Sequence, residues 1–151
     1  MGSKTIQCSG LNPSEMTTKT FLFEILTLEK VFFSNEVRFV VAPGLEGSFE
    51  ILAGHAPYVF ALQPGALQIR LPDGSDQRPA VGSGFLVVQK DRTTALVRSA
   101  EFPEDIDVER ARRAKGRAEK RLEGESPDLD RGRAKAALQK ANARLKARDL
   151  E

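Results

Sequence analysis

The chemistry of this 151-residue chain centres first on its single histidine, His55, in the stretch Gly-His-Ala-Pro. As a catalytic base, His55 lacks a nucleophile at a recognisable spacing. As a metal ligand, it lacks companion ligands. We therefore expect His55 to be an exposed turn residue that caps strand ends or contacts a partner.

Familiar catalytic and phosphate-binding motifs are missing from the sequence. It contains no G-x-S-x-G, no P-loop sequence and no G-x-G-x-x-G beside a helix. The lone Cys8 cannot form an internal disulfide, which favours a reducing compartment. Five carboxylates stand in or near turns, where they are expected to be solvated loop charges: Glu46, Glu50, Asp73, Asp76 and Asp91. We expect no catalytic residue and no metal site.

A second candidate chemistry lies in the C-terminal third, which is strongly basic. Residues 106–148 carry fourteen Lys and Arg against seven Asp and Glu, whereas residues 1–100 carry nine of each. Such charges usually form a solvated helical face. They also suit nucleic-acid phosphates, or a phosphate-bearing small molecule held by convergent arginines. Nucleic acid is less favoured, because no aromatic residue interleaves with the charges for base stacking.

The elements that must position these residues begin with a β module, from Phe21 to about Ser99. Strands are predicted by the runs FLFEIL, EVRFVVA, ALQIRL, FLVVQ and TALVRS, which are separated by turns rich in glycine and proline. In ALQIRL, Leu67, Ile69 and Leu71 face one side. Several short strands at regular spacing predict an antiparallel β-sandwich or flattened barrel.

From Asp105 onward the apolar spacing becomes helical. Two helices, separated by the sequence GESPD, are expected to form an antiparallel hairpin. Their facing stripes are mostly alanine: Ile106, Ala111, Ala114, Ala118 and Leu122 on the first helix, and Ala134, Ala137, Leu138, Ala141 and Leu145 on the second. Because alanine buries little area, the hairpin should dock weakly and could occupy more than one position.

The predicted fold is therefore α+β: an N-terminal antiparallel β-sandwich or flattened barrel followed by a C-terminal antiparallel two-helix hairpin. We place the sandwich at residues 17–101 and the hairpin at residues 102–151. Residues 1–16 show no periodicity and are expected to be a disordered extension or an expression remnant.

Three segments, in this order, carry a resemblance to a known family. FEILAGHAPYVFALQPGAL resembles its Gly-x-x-Gly-Ile-Leu-Pro-Gly-His-Ala-Pro signature, and GSGFLVVQKDRTTALVRSAE resembles its Gly-Gly-Phe strand pair. IDVERARRAKGRAEKRL resembles its first C-terminal helix. Over residues 17–148 the chain resembles the epsilon subunit of bacterial and chloroplast F-type ATP synthases.

The resemblance implies a non-catalytic rotor subunit at the foot of the central stalk, which couples proton-driven rotation to ATP synthesis. Its sandwich would bind the gamma subunit and the c-ring. Its hairpin would extend along gamma into the alpha/beta catalytic head and inhibit ATP hydrolysis. The resemblance implies that the subunit binds no nucleic acid and does not insert directly into the membrane. The complex would hold the subunit peripherally on the cytoplasmic face of a bacterial inner membrane, or on the stromal side of a thylakoid.

The resemblance also implies a contact with the c-ring around the turn that contains His55. The expected contact residues are Glu46, Ser48, Glu50 and His55. The sequence departs from the family here, since Glu50 stands where Gly is usual and Ala53 where Pro is usual. Ser48 replaces a frequent carboxylate, which Glu46 or Glu50 would then supply.

Some members of the family bind regulatory ATP, with or without magnesium, on the folded hairpin, although none is required as a cofactor. The residues that match their pattern are Glu101, Ile106, Asp107, Arg110, Ala111, Arg117, Lys140 and Arg144. Lys140 stands where the ATP-binding members have arginine, which keeps the charge but loses the fork that binds two phosphate oxygens. The other explanation is that these residues only cap and pair the helices, as Asp107 would at a helix start.

From the residues alone, a basic hairpin that binds nucleic acid stays the alternative function. A β-sandwich enzyme is a weaker third, because no nucleophile and base stand at a catalytic spacing. Steeply salt-dependent DNA binding by the isolated protein would favour the alternative. Stable copurification with a gamma-like subunit would exclude it.

Overall fold

The computed structural model describes residues 4–5, 19–124 and 130–149. The other residues of the predicted extension, and most of the GESPD segment between the helices, lie outside the described residues. Thirteen strands lie within these described residues: β1 Lys4–Thr5, β2 Phe21–Leu26, β3 Val31–Val37, β4 Phe39–Gly44, β5 Gly47–Leu52, β6 Tyr58–Leu62, β7 Gly65–Ala66, β8 Gln68–Arg70, β9 Asp76–Gln77, β10 Ala80–Val81, β11 Gly84–Val88, β12 Arg92–Val97 and β13 Ala100–Glu101. A 3-10 turn, Pro103–Asp105, leads to helix α1, Val108–Glu123, and helix α2 spans Arg131–Asp149. The predicted α+β fold is confirmed.

The strands form two sheets. The larger runs in the order β1-β5-β4-β6-β11-β12-β2-β3, with β8 and β9 attached beside β4, and the smaller runs β13-β10-β7. Most pairs are antiparallel, as predicted, but β2 lies parallel to β12. Parallel neighbours require a long crossover, and here the whole of the intervening sandwich provides it. The short β1 also runs parallel to its partner β5.

One predicted strand is divided in the structure. The run EVRFVVA bends at Arg38, so that β3 ends at Val37 and β4 begins at Phe39. β3 pairs with β2, whereas β4 pairs with β5 and β8. The Arg38 amide donates to the Arg70 carbonyl at 2.7 Å and its guanidinium donates to the Pro72 carbonyl at 2.6 Å, which fixes the bend.

The sandwich has one apolar core formed by alternate residues of its strands. Phe23 and Ile25 of β2 are fully buried, as are Ile69 of β8 and Leu86 of β11. Leu67, between β7 and β8, is buried as the alternation predicted. No residue of α1 or α2, within the part of the chain that the structure describes, belongs to this cluster. The core of the sandwich is therefore formed without the helices.

The helices begin at side-chain caps and pack in layers. Asp107 Oδ1 accepts the Arg110 amide at 3.0 Å, and Asp130 Oδ1 accepts the Arg133 amide at the same distance. α2 lies against β7, β10 and the 3-10 turn, and α1 packs on α2. Since it has two neighbours, α2 buries a second alanine pair, Ala143 and Ala147, that the predicted single stripe did not include.

None of the described helices is long and apolar enough to cross a membrane.

Candidate functional site

One candidate site is an exposed apolar surface on the outer side of the main sheet. We define this apolar face by five residues with large exposed side chains: Leu28, Leu45, Val59, Phe85 and Leu96. Their exposed fractions range from 46% at Leu96 to 95% at Leu28. A contiguous apolar surface of this kind usually marks an interaction site.

Strand register brings the members of the apolar face together. Phe85 of β11 stands opposite Ala61 of β6 on one side and opposite Leu96 of β12 on the other. Two shallow grooves, with volumes of about 390 and 540 Å³, share Leu45 and Ala61 in their linings. Gly84 begins β11 so close to β12 that a Cβ there would lie 1.9 Å from the Leu96 carbonyl oxygen. The face therefore depends on a glycine for its close strand packing.

The apolar face was not among the predicted sites, although the sequence carries a signal for it. The runs YVFAL and FLVV are apolar at every position, and not only at alternate ones. In an antiparallel sheet, a strand with apolar residues on both faces is expected to be covered on both faces. Here one face is covered by the core, and the other is exposed in the isolated chain.

The predicted ring-contact residues fall into two groups. Glu46 is exposed at the turn that joins β4 and β5, and Ser48 is exposed at the start of β5, both beside the smaller groove. Glu50 is half-buried within β5, opposite Val41. These three residues lie near one end of the sheet. Their contact with a c-ring remains a prediction.

His55 belongs to the second group, because it is buried. Only 9% of it is exposed, so the expectation of an exposed turn residue is wrong. Its Nδ1 lies 2.5 Å from the Ala56 carbonyl oxygen, and its ring meets Phe60 edge-on with centroids 5.9 Å apart. Nε2 is buried and has no hydrogen-bond partner among the described residues. The ring contact comes from Phe60, on the strand that follows, which the Gly-His-Ala-Pro sequence could not show.

The structure brings together three of the eight predicted nucleotide contacts. Arg144 of α2 forms a two-pronged ion pair with Glu101 at the end of β13, with Nε–Oε2 at 2.6 Å and Nη2–Oε1 at 3.2 Å. Lys140 lies one turn earlier and lines the same small crevice, which also includes Ser99 and has a volume of about 10 Å³. A nucleotide needs far more room than this. The crevice is therefore closed around an internal ion pair.

The other five predicted nucleotide contacts lie elsewhere on the hairpin. Ile106 and Ala111 are buried, and Asp107 caps α1. Arg110 and Arg117 are exposed on α1, and their guanidinium groups form no hydrogen bond or ion pair within the described part of the chain. Neither lines the crevice around Arg144.

Two carboxylates near β8 and β9 carry lowered pKa values. The pKa of Asp76 is lowered chiefly by its hydrogen bond from Arg70, with smaller contributions from Gln68 and Arg78. The pKa of Asp73 is lowered by hydrogen bonds from the hydroxyl and amide of Ser75. Both groups stabilise turns or strand pairing, and within the described residues no group of three or more His, Cys, Asp or Glu is placed to hold a metal ion.

Family models match both modules. The ATP synthase delta/epsilon chain β-sandwich domain matches residues 20–103, and the delta/epsilon chain long α-helix domain matches residues 104–148. The chain belongs to the ATP synthase delta/epsilon family. It is thus an ATP synthase subunit of the delta/epsilon type, as the resemblance implied. The alternative of a nucleic-acid-binding module is not supported.

The similarity to curated relatives of the delta/epsilon family extends over almost the whole length of those relatives. The chain is similar to the ATP synthase epsilon chain of Syntrophomonas wolfei, with 45% identity over 132 residues, which covers 87% of this chain and 96% of the relative. It is also similar to the ATP synthase epsilon chain of Desulforamulus reducens, with 46% identity over 129 residues, covering 85% and 97%.

A chain in a solved ATP synthase structure shares the fold. A chain in the cryo-EM structure of the Euglena gracilis mitochondrial ATP synthase, OSCP/F1/c-ring, superposes with a TM-score of 0.77 at 21% identity. The similarity covers 100% of this chain and 91% of that chain.

Proposed function

We propose that the chain is a non-catalytic rotor subunit whose sandwich binds the gamma subunit and the c-ring, and whose hairpin is a movable arm that inhibits ATP hydrolysis. The observation that carries this proposal is the apolar face. It lies on a module whose core is already complete, so its apolar side chains are not needed for folding. Their exposure is best explained by burial against another subunit.

The gamma subunit is the partner we assign to the apolar face. Phe85 and Leu96 lie side by side on neighbouring strands, and Val59 and Leu45 extend the surface. Few charges interrupt it, which is characteristic of the central part of a stable protein interface. A partner that buries this face would link the sandwich rigidly to a shaft, as a rotor requires.

The c-ring is the partner we assign to the β4–β5 turn. Glu46 is exposed there and Ser48 is exposed at the start of β5, whereas the apolar face lies on the flat of the sheet. A polar turn suits contact with polar loops of a ring, and Glu46 supplies the carboxylate that Ser48 lacks. This arrangement would place the subunit peripherally, at the cytoplasmic face of a bacterial inner membrane or the stromal side of a thylakoid.

The hairpin is the part to which we assign inhibition. Its net positive charge suits contact with acidic surfaces of the catalytic alpha/beta head when it is extended. Its contact with the sandwich is small and uses alanines, so separation requires little loss of apolar burial.

A decisive test of the gamma assignment changes Phe85 to Glu. A carboxylate at the centre of the apolar face would remain solvated in the isolated subunit, but it would lose its water in the complex. We expect the Phe85→Glu protein to fold normally by circular dichroism and to lose co-elution with gamma in size-exclusion chromatography. The matched control is Ser34→Glu, which adds the same charge at an exposed position of β3. Equal co-elution of both variants would contradict the assignment.

Regulatory ATP is a second proposal for the hairpin, supported by the cluster of Lys140, Arg144 and Glu101 beside the sandwich. Because Glu101 already occupies the guanidinium fork of Arg144, ATP would have to displace this carboxylate or bind after a small rearrangement. A nucleotide that binds only the docked hairpin stabilises it by RT ln(1 + [L]/Kd), about 2.7 kcal/mol at a hundredfold excess over Kd.

Calorimetric titration of the isolated subunit with ATP, with and without magnesium, tests this second proposal. We expect Arg144→Ala to weaken binding because Arg144 lies in this crevice, and Lys140→Arg to strengthen it because arginine restores the fork. Arg113→Ala is the control, since Arg113 is exposed on α1 and does not match the ATP-binding pattern. Absence of heat at millimolar ATP in the unmodified chain would leave the hairpin without a nucleotide ligand.

A further inference from the structure

The contact between the hairpin and the sandwich is small and chemically distinctive. The apolar cluster that joins them consists of Ala80, Ile106 and Ala147, with Ala66 half-buried against it. Alanine removes little apolar area from water, so three alanines and one isoleucine contribute only modestly to docking. Directional polar contacts therefore carry more weight here than they would at a larger apolar interface.

Two arginines near the end of α2 provide such contacts. Arg144 binds both carboxylate oxygens of Glu101, and Arg148, about one turn later, donates from Nη1 to the Pro103 carbonyl at 3.1 Å. Glu101 ends the last strand of the sandwich, and Pro103 begins the 3-10 turn that leads to α1. Both contacts therefore fasten the last turns of α2 to the segment at which the sandwich gives way to the hairpin.

The geometry of the pair between Glu101 and Arg144 makes it stronger than an ordinary surface ion pair. Both side chains are 37% exposed, so part of each is withdrawn from water. The fork of the guanidinium matches the two carboxylate oxygens, which fixes orientation as well as distance. By contrast, Arg112 and Glu109 on α1 form a single contact of 3.4 Å, and both side chains are largely exposed.

The layer order places this ion pair on the path of any movement. α2 lies between α1 and the sandwich, so the hairpin cannot leave as a unit unless α2 separates from β7, β10 and the 3-10 turn. Separation breaks the contact between Arg144 and Glu101 and the contact between Arg148 and Pro103 together.

We propose that Glu101 and Arg144, assisted by Arg148, form an ionic clasp that sets the balance between the docked and the undocked hairpin. The clasp makes that balance sensitive to salt and to anions that compete with Glu101 for Arg144. This inference rests on the proposed function in one respect, namely that the hairpin leaves the sandwich. The clasp itself acts in the isolated subunit and requires neither gamma nor nucleotide.

The experiment measures the docked fraction of the full chain by energy transfer between two dyes. Cys8 is replaced by Ser, and dyes are attached at Ser34→Cys on the sandwich and Gln139→Cys on α2, both exposed positions. Into this background we introduce Glu101→Gln, Arg144→Gln and the charge swap Glu101→Arg with Arg144→Glu. Glu109→Gln is the matched control, because it removes a carboxylate that pairs with an arginine away from the interface.

We expect Glu101→Gln and Arg144→Gln each to raise the ratio of undocked to docked hairpin by about threefold or more, the size set by a partly exposed ion pair. Glu109→Gln should leave the ratio unchanged, and the charge swap should recover most of the loss. Added salt should undock the hairpin of the unmodified chain more than that of Glu101→Gln. Helical circular dichroism of each variant confirms that α1 and α2 are formed.

Two outcomes separate failure of the clasp from failure of the moving arm. If the undocked fraction changes equally in Glu101→Gln and Glu109→Gln, or changes in neither, the clasp is contradicted. The hairpin would still be mobile in that case, because an undocked fraction is observed. Constant energy transfer in every variant and at every salt concentration would overturn both the clasp and the proposed movement. A charge swap that undocks as fully as the single variants would show that a specific pair is not required.

Discussion

His55 lies edge-on to Phe60, with the two ring centroids 5.9 Å apart and the planes inclined by 62°. Phe60 also stacks on Phe49 at 4.1 Å, so the imidazole extends an aromatic cluster between β5 and β6. This relationship assigns His55 a structural role in the isolated chain. The histidine itself is largely inaccessible.

His55→Ala should therefore lower the free energy of unfolding by about 1–3 kcal/mol, because it removes a buried ring and leaves a gap beside Phe60. Urea denaturation followed by circular dichroism gives the value. Glu46→Ala is the control, since Glu46 is exposed and its loss should change stability by less than about 0.5 kcal/mol. Equal changes in the free energy of unfolding for the two substitutions would contradict the structural role of His55.

Asp76 gives a prediction for the pH dependence of stability. Its pKa in the folded chain is lowered below its ordinary value of 3.8, chiefly by the hydrogen bond from Arg70. An acidic group whose pKa is lower in the folded chain than in the unfolded chain stabilises the fold at every pH above its pKa in the unfolded chain. This contribution is lost as the pH falls through its pKa in the folded chain. Asp76→Asn should thus cost about 1–3 kcal/mol at pH 7.

The difference in stability between Asp76→Asn and the unmodified chain should shrink as the pH falls from about 5 to 2. Urea denaturation over this range measures the difference. Asp91→Asn serves as the control, because Asp91 is an exposed loop carboxylate. A constant cost for Asp76→Asn from pH 7 to pH 2 would show that the ion pair with Arg70 does not stabilise the fold.

Two glycines should respond oppositely to the same substitution. Gly84→Ala places a methyl group 1.9 Å from the Leu96 carbonyl oxygen, a backbone atom that cannot yield without moving β12. We expect a loss of more than about 1 kcal/mol in stability, with weaker gamma binding because β11 and β12 carry the apolar face.

Gly116 provides the matched case, because a Cβ at this position of α1 would have no atom within 4 Å. Gly116→Ala should stabilise the helix by about 0.5–1 kcal/mol, since alanine loses less backbone entropy than glycine. Thermal unfolding measured at 222 nm distinguishes the two variants. Similar stability changes with the same sign would contradict the close approach at Gly84.

The sandwich should fold without the hairpin. A shortened chain of residues 17–104 retains the main core and the stacked rings of Phe32 and Phe102, whose centroids lie 4.4 Å apart. We expect cooperative urea unfolding and retained gamma binding, as measured by size-exclusion chromatography. Loss of cooperative unfolding, with exposed apolar surface shown by dye binding, would indicate that the helices complete a shared core.

Much of the fold could be predicted because it follows from local pattern. The run FLFEIL is strand β2 with the limits that the sequence indicated, and Leu67 and Ile69 are buried as their alternation required. Asp107 begins α1 because a side-chain oxygen at this position accepts a free backbone amide. The quoted family segments also led to the family that the domain matches confirm.

The sites depended on contacts between distant parts of the chain. Sequence spacing could not show that Phe85 and Leu96 would form an exposed surface, since that depends on the pairing of β11 with β12 and on which side the core lies. Nor could it show that Glu101 and Arg144, forty-three residues apart, would bind one another.

The sequence by itself determined the two modules, their secondary structure and their family, because periodicity, capping and motif order are properties of neighbouring residues. Only the tertiary structure decided that His55 is buried, that α2 lies between α1 and the sandwich, and that Arg144 is occupied by Glu101. The physical reason is that burial and ion pairing depend on distances through space. Those distances are set by the packing of the complete chain.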